Sequence, residues 1–122
     1  MKTEQARAGE FLLSEAESDR SRTQVTVTGG SYEAGTVMGQ LTADGKFTDL
    51  KTSGTDGNQN AAGVLYSRVD ASAGDMQAVL IDLDAQVIDD LLVWPDGITA
   101  AKKDAAVTAL LAKGIKVRSG AI

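Results

Sequence analysis

The chain of 122 residues has no cysteine, no histidine, one proline, one tryptophan and only 4% aromatic residues. Without cysteine there is no disulfide framework and no thiolate site. Without histidine the commonest general base and the commonest metal ligand are both missing, and a Ser-His-Asp arrangement is impossible. These absences move the expectation away from catalysis. With so few rings, the core has to be built from Val, Leu, Ile and Ala. Length and a 43% apolar content suit one domain with a modest core. Thirteen glycines against one proline point to many turns, as in a β-rich chain. No long apolar run occurs near the start, where Phe11, Leu12 and Leu13 are too few for a signal-peptide core or a membrane span.

Charge is distributed unevenly. The net charge is −5, and between Asp70 and Asp96 there are seven aspartates (70, 75, 82, 84, 89, 90 and 96) with no Lys or Arg. A surface of that sign repels phosphate backbones, so the body is not expected to bind nucleic acid. Its plain reading is a solvated acidic face.

The densest apolar stretch is 77–97, QAVLIDLDAQVIDDLLVWPDG. Val79, Ile81 and Leu83 alternate with Leu80, Asp82 and Asp84, the period of a strand with one buried face. Trp94 is expected to be the largest single apolar anchor, and Pro95 to end what precedes it. The lighter strands are expected to gather around this stretch. Val87, Ile88, Leu91 and Leu92 have i, i+4 spacing, so 84–92 reads either as a helical turn capped by Asp84 or as a continued strand.

Residues 1–22 read as a polar arm in which four basic residues mingle with five acidic ones. Such a segment cannot bury enough surface alone to offset its ordering entropy, so it needs a partner or stays unfolded. QVTVT at 24–28 alternates cleanly and stops at Gly29-Gly30, a short strand with no obvious local mate. Further strands are expected at 35–41, 47–50 and 61–69. Asp44-Gly45 marks a hairpin between the first two, and Gly63 allows a bulge or close approach. One clear helix is expected at 99–113, with Thr99 as N-cap, Gly114 just past its end, and Ala106, Val107, Leu110 and Leu111 on one face. Residues 115–118 (IKVR) read as a closing strand.

Candidate sites are few. DGNQN at 56–60 begins like a calcium loop, but Ala61 stands where glycine is needed and Ser67 where a bidentate Glu belongs, so a plain turn-rich loop is the better reading. Asp82 with Asp84, on one expected strand face, or Asp89 with Asp90, lack the His, Cys or Glu that would complete a ligand set. Trp94-Pro95 suits either a core cap or a protein interface. Around Arg20-Ser21-Arg22, the nearby Glu15, Glu17 and Asp19 cancel the field of a basic tail, which favours a mixed-charge recognition arm.

The order FLLSEAESDRSR, QVTVTGG, EAGTVMGQLTADGKF, TDGNQNAAGVLY, LVWPDG and LLAKGIKVR resembles the lambda-type head decoration proteins of tailed bacteriophages across roughly 11–118. The best-matching pieces are Gly35-Thr36-Val37, Ala62-Gly63-Val64-Leu65 and Trp94-Pro95. The resemblance implies a mainly β fold, a bent β-clip-like ribbon with an incomplete barrel, one or two short α-helices and an extended N-terminal arm. It implies an arm at 1–24 and a single decoration domain at 25–122. It also implies a non-enzymatic protein, with no cofactor, on the outer surface of the expanded capsid after assembly in the host cytoplasm. There it would sit as a homotrimer at three-fold and quasi-three-fold positions, bracing the shell against DNA pressure. The partner would be the major capsid protein, with neither nucleic acid nor membrane involved. Carried over by position, Phe11, Leu12, Leu13, Ser21, Arg22, Gln24, Val25, Thr26, Val27 and Thr28 would bind the capsid, 24–28 adding as a strand. Trp94 and Pro95 would serve the trimer contact. The alternative, a small β-rich module binding a glycan or peptide through the loop at 53–60, has few aromatics on which to stack a ligand.

Overall fold

A computed structural model describes residues 12–15, 22–51, 56–95 and 97–118. In chain order the strands are β1 (Leu12–Glu15), β2 (Arg22–Val27), β3 (Ser31–Tyr32), β4 (Val37–Gln40), β5 (Phe47–Asp49), β6 (Ala61–Leu65), β7 (Val69–Asp70), β8 (Met76–Ile81), β9 (Ala85–Ile88) and β10 (Ile115–Arg118). A 3₁₀ turn occupies Asp89–Leu91 and the helix α1 occupies Ala100–Ala112. Strands β2, β5, β4, β6 and β8 close into a small barrel; β1, β9 and β10 form a second sheet, and β3 pairs with β7. The mainly β fold with one short helix agrees with the expected class.

Local chemistry explains the turns. At the β4–β5 hairpin Gly45 takes φ 74°, and Leu41 N–H donates to the Lys46 carbonyl at 2.8 Å. The Asp44 carboxylate accepts from Lys46 N–H at 3.0 Å. Helix α1 starts where the Thr99 side chain accepts from Lys102 N–H at 3.2 Å, and it stops at Gly114, φ 82°. From there β10 pairs in parallel with β9, the crossover that a helix makes possible.

Two apolar clusters share the barrel wall. Met38, Leu65 and Leu80 belong to one, with Val27, Phe47, Val69 and Ala71. Val37, Val64 and Ile81 belong to the other, with residues of β9, α1 and β10. Val37 pairs with Val64 and Val64 with Ile81, while Leu65 pairs with Leu80. Adjacent residues on β4, β6 and β8 thus serve opposite faces, and both faces are buried. Gly63 lies on the Leu65 face, opposite Met38; a Cβ there would meet the Leu80 side chain and the Ile81 carbonyl at 2.8 Å.

This double burial corrects several expectations. The stretch after Gln77 does not have one buried face: Leu80 and Ile81 are both fully buried, and Leu83 is 39% exposed. Asp84 adopts φ 43° in the turn leaving β8, so it neither caps a helical turn nor shares a strand face with Asp82. Residues 84–92 resolve instead into β9 and the 3₁₀ turn. The largest fully buried side chains are Met38 and several Leu and Ile residues, and Trp94 sits at the core margin, packed against the cluster. The expected strand at 61–69 divides into β6 and β7, because 66–68 leave the barrel wall. On α1, Ala106 and Leu110 face inward while Leu111 is 58% exposed, since the helix presents a narrow stripe to the wall.

At the barrel seam, Val27 pairs with both Phe47 and Met76. Just outside it, Lys46 Nζ lies 2.6 Å from the Asp75 carboxylate. The hydrogen bond from Lys46, with a second from Thr28, holds the Asp75 carboxyl below its ordinary value of 3.8, and the same bond raises Lys46 above 10.5. The depressed carboxyl contributes stability above its unfolded pKa that is lost as pH falls through the folded one. The raised amine contributes below its unfolded pKa and loses that as pH rises through its folded one. The staple is therefore complete from the ordinary carboxylate range to the ordinary lysine range. Both groups are exposed, so its weight is small.

Three outcomes check this architecture. Leu110→Ala should cost about 2–5 kcal/mol in urea unfolding, whereas Leu111→Ala should stay within about 0.5 kcal/mol. Gly63→Ala should destabilise by about 1–3 kcal/mol through overpacking. In an NMR titration, Lys46→Met should move the Asp75 carboxyl back up toward 3.8.

Candidate functional site

Two surfaces carry the candidate residues. The first is the side of β2 turned away from β8. Arg22–Val27 pairs antiparallel with β8 over all six residues, from Arg22 opposite Ile81 to Val27 opposite Met76. The strand thus has a mate within the chain, but a distant one that its sequence does not announce. On its other side, among the described residues, only the Val27–Phe47 bridge joins it to β5. Thr28 N–H donates to the Phe47 carbonyl at 2.9 Å. Backbone groups alternate sides along a strand, so Gln24 and Thr26 point their N–H groups the same way, toward the open edge. Val25 and Val27 face the barrel core, and Thr23 and Gln24 are exposed. The Thr23 hydroxyl donates to Asp82 at 3.0 Å, and the Gln77 amide donates to the Thr26 hydroxyl at 2.8 Å. The Arg22 guanidinium stacks 4.3 Å above the Tyr66 ring.

Part of the expected arm is folded onto the body. Leu12 pairs with Val87 and its side chain packs on the core cluster that includes Val87. Leu13 lies in the same strand, β1. Strand β2 runs across the arm–body boundary expected at 24/25. Phe11 and Ser21 lie outside the described residues.

The second surface surrounds Trp94 and Pro95. Val93 is tied to the barrel by a parallel bridge with Thr36, through Val93 N–H to the Gly35 carbonyl at 2.8 Å and Val37 N–H to the Val93 carbonyl at 3.1 Å. The indole N–H of Trp94 donates to Asp89 Oδ1 at 2.7 Å. Asp89 Oδ2 accepts from Lys103 at 3.0 Å, and that ammonium lies 5.2 Å from the centre of the indole. One carboxylate therefore fixes the ring to both the 3₁₀ turn and α1. Beside the ring is a cleft of about 240 Å³ lined by Ser31, Tyr32, Glu33, Asp49, Trp94 and Pro95 over a floor that includes Val37 and Leu50. Glu33 Oε2 is 3.2 Å from Arg68. Its Oε1 is shut off from solvent and has no hydrogen-bond donor among the described residues. The sequence reading singled out Trp94 and Pro95 but not Tyr32, Glu33 or Asp49, which reach the cleft through long-range pairing, of β3 with β7 and of β5 with β4, that leaves no local trace.

The other candidates look structural. Asn58 is buried, its side-chain amide donating to the Thr48 hydroxyl at 2.8 Å and its backbone carbonyl accepting from Lys51 N–H at 3.0 Å. Its backbone lies against Gly39, where a Cβ would collide with it. The described half of the polar loop is thus folded inward as a plug. Among the described residues, no group of three or more His, Cys, Asp or Glu could hold a metal ion.

A family model described as "Bacteriophage lambda head decoration protein D" matches residues 1–115 of the chain. No curated protein matches it.

Because Trp94 is the only tryptophan, its fluorescence reports this turn alone. Asp89→Ala should red-shift the emission as the ring loses its tether, and should cost about 1–3 kcal/mol in stability. An unchanged spectrum would mean that the ring is held by packing alone.

Proposed function

From the chain's membership of the bacteriophage lambda head decoration protein family, which places it on the capsid surface of the virion, we propose that it binds there through the N-terminal segment and the open edge of β2. The observation that supports this reading is that, among the described residues, no strand pairs with 24–26 on the side of β2 turned away from β8. A capsid-protein strand laid along it would complete hydrogen bonds at Gln24 and Thr26 with little demand on side-chain identity. The contact is built from Phe11, Leu12, Leu13, Ser21, Arg22 and 24–28. Leu12 anchors the segment to the body while the edge of β2 meets the shell.

Three copies at a three-fold position brace the shell as a homotrimer, with Trp94 and Pro95 near the contact between copies. Simultaneous engagement of three modest edges supplies avidity without a large interface for each copy. The exposed Leu91 and Val93 flank the Trp94 turn, which favours placing the intersubunit contact there. The protein has no enzymatic role in this reading, and neither nucleic acid nor membrane takes part.

The test is co-sedimentation with empty expanded capsids of the parent phage. Proline at position 24 removes an edge-facing N–H without touching the ladder to β8. Wild-type chain should pellet at a saturating ratio, while Gln24→Pro, shown by circular dichroism to be folded, should stay in solution. Equal binding by both would move the contact elsewhere on the body. No binding by the wild type would remove the capsid reading and bring forward a ligand screen of the 53–60 loop.

A further inference from the structure

The inner face of the barrel is covered unevenly along β2. Thr23, Val25 and Val27 lie on one side of the strand, the side that Val27 turns to the barrel cluster. Val27 has Phe47 of β5 beside it and is fully buried. Val25 has no strand beside it there among the described residues; it packs on the cluster but is only half-buried, as is Ala78 opposite it on β8. Thr23 is exposed, although Leu80 opposite it is fully buried. Burial thus falls from Val27 to Thr23 as the lateral cover given by β5 ends.

Strand geometry says what this row asks of a neighbour. Residues directly opposite each other on adjacent strands put their side chains on the same face, about 4.5–5.5 Å apart. A residue set opposite Val25 therefore points into the barrel, against Val25 and the cluster it packs on. An apolar side chain gains there, and a polar one loses its water. A residue set opposite Thr23 meets a hydroxyl already donating to Asp82 at 3.0 Å. The residue between them lies in solvent beside the exposed Gln24. Charge plays no part in the selection. Residues 23–28 are uncharged, and Lys46 and Asp75 beside the seam are tied to each other at 2.6 Å.

We infer that the segment recognised by β2 is an extended, uncharged stretch of the capsid protein whose apolar residue, set opposite Val25, continues the inner row of the barrel past Phe47, with polar residues on either side of it. Backbone pairing at Gln24 and Thr26 holds the segment, and the contact with Val25 sets its register. The inference rests on the edge-binding reading above and specifies the partner's chemistry. A second copy of β2 does not suit the place, because two identical strands paired edge to edge make an isologous two-fold contact.

The test has two arms, both on empty expanded capsids of the parent phage. In the first, saturation binding compares variants of the full chain shown by circular dichroism to be folded. Val25→Thr keeps the shape but brings a hydroxyl into the row, and should bind about tenfold more weakly. Val25→Ile should bind at least as tightly as the wild type, and Gln24→Ala, which changes only a solvent-facing side chain, should stay within about twofold. Unchanged binding by Val25→Thr, with binding still lost in Gln24→Pro, overturns the inner-row contact and leaves the edge reading standing. Unchanged binding by both variants removes the edge reading itself. In the second arm a photo-reactive benzophenone side chain replaces that of Gln24, and decorated shells are irradiated and read by mass spectrometry. The expected link is to a capsid-protein peptide in which an apolar residue stands between polar ones. A link to a charged peptide, to a second copy, or to residues 1–21 of the same chain overturns the proposed occupant.

Discussion

Three short strands have to bury both of their faces at once. Val37-Met38, Val64-Leu65 and Leu80-Ile81 each send one side chain into the barrel and the next into the layer made by β9, α1 and β10. This lets a chain nearly free of aromatics assemble two cores from one wall. Each fully buried Val, Leu, Ile or Met is worth roughly 1.5–3 kcal/mol, so six of them on three strands are a large share of what a domain this size can have. The same constraint leaves little freedom for substitution. Gly63 has to remain small because Leu80 occupies its face, and Asn58 has to close the barrel beside Gly39 with its side chain turned to Thr48.

The two candidate surfaces grow out of that wall. Strand β2 is fastened to β8 on one side and, among the described residues, bridged to β5 only at Val27 on the other. The Trp94 turn is fastened to β4 through the Thr36–Val93 bridge and to α1 through Asp89 and Lys103. Surfaces held by rigid elements keep their geometry with little ordering cost on association. That suits a protein whose family assigns it to binding a shell rather than to chemistry.

What was legible in the sequence was what acts over a few residues. The Asp44-Gly45 turn, the Thr99 cap, the Gly114 stop and the alternation of 24–28 each follow from a conformational demand visible within four or five positions. What was hidden depends on pairing across the chain. The period of two in 77–84 correctly marked a strand, but nothing local says that both faces are covered, so Leu83 looked like core and is not. Leu12 gave no sign that it would lie against Val87, seventy-five positions away. The Trp94 site was half legible for the same reason. A lone tryptophan before a proline stands out by composition, while Glu33, Asp49 and Lys103 become its neighbours only once the barrel has closed.

The six-pair ladder between β2 and β8 also has a mechanical meaning. A pull on the chain directed along β2 from its Arg22 end loads every pair of that ladder in parallel, as shear, rather than peeling the pairs apart one after another. The one-pair contact with β5 adds little resistance in that direction, but it also offers little to break. Tension entering through the N-terminal side is therefore passed to β8, and through Leu80 and Ile81 into both cores together.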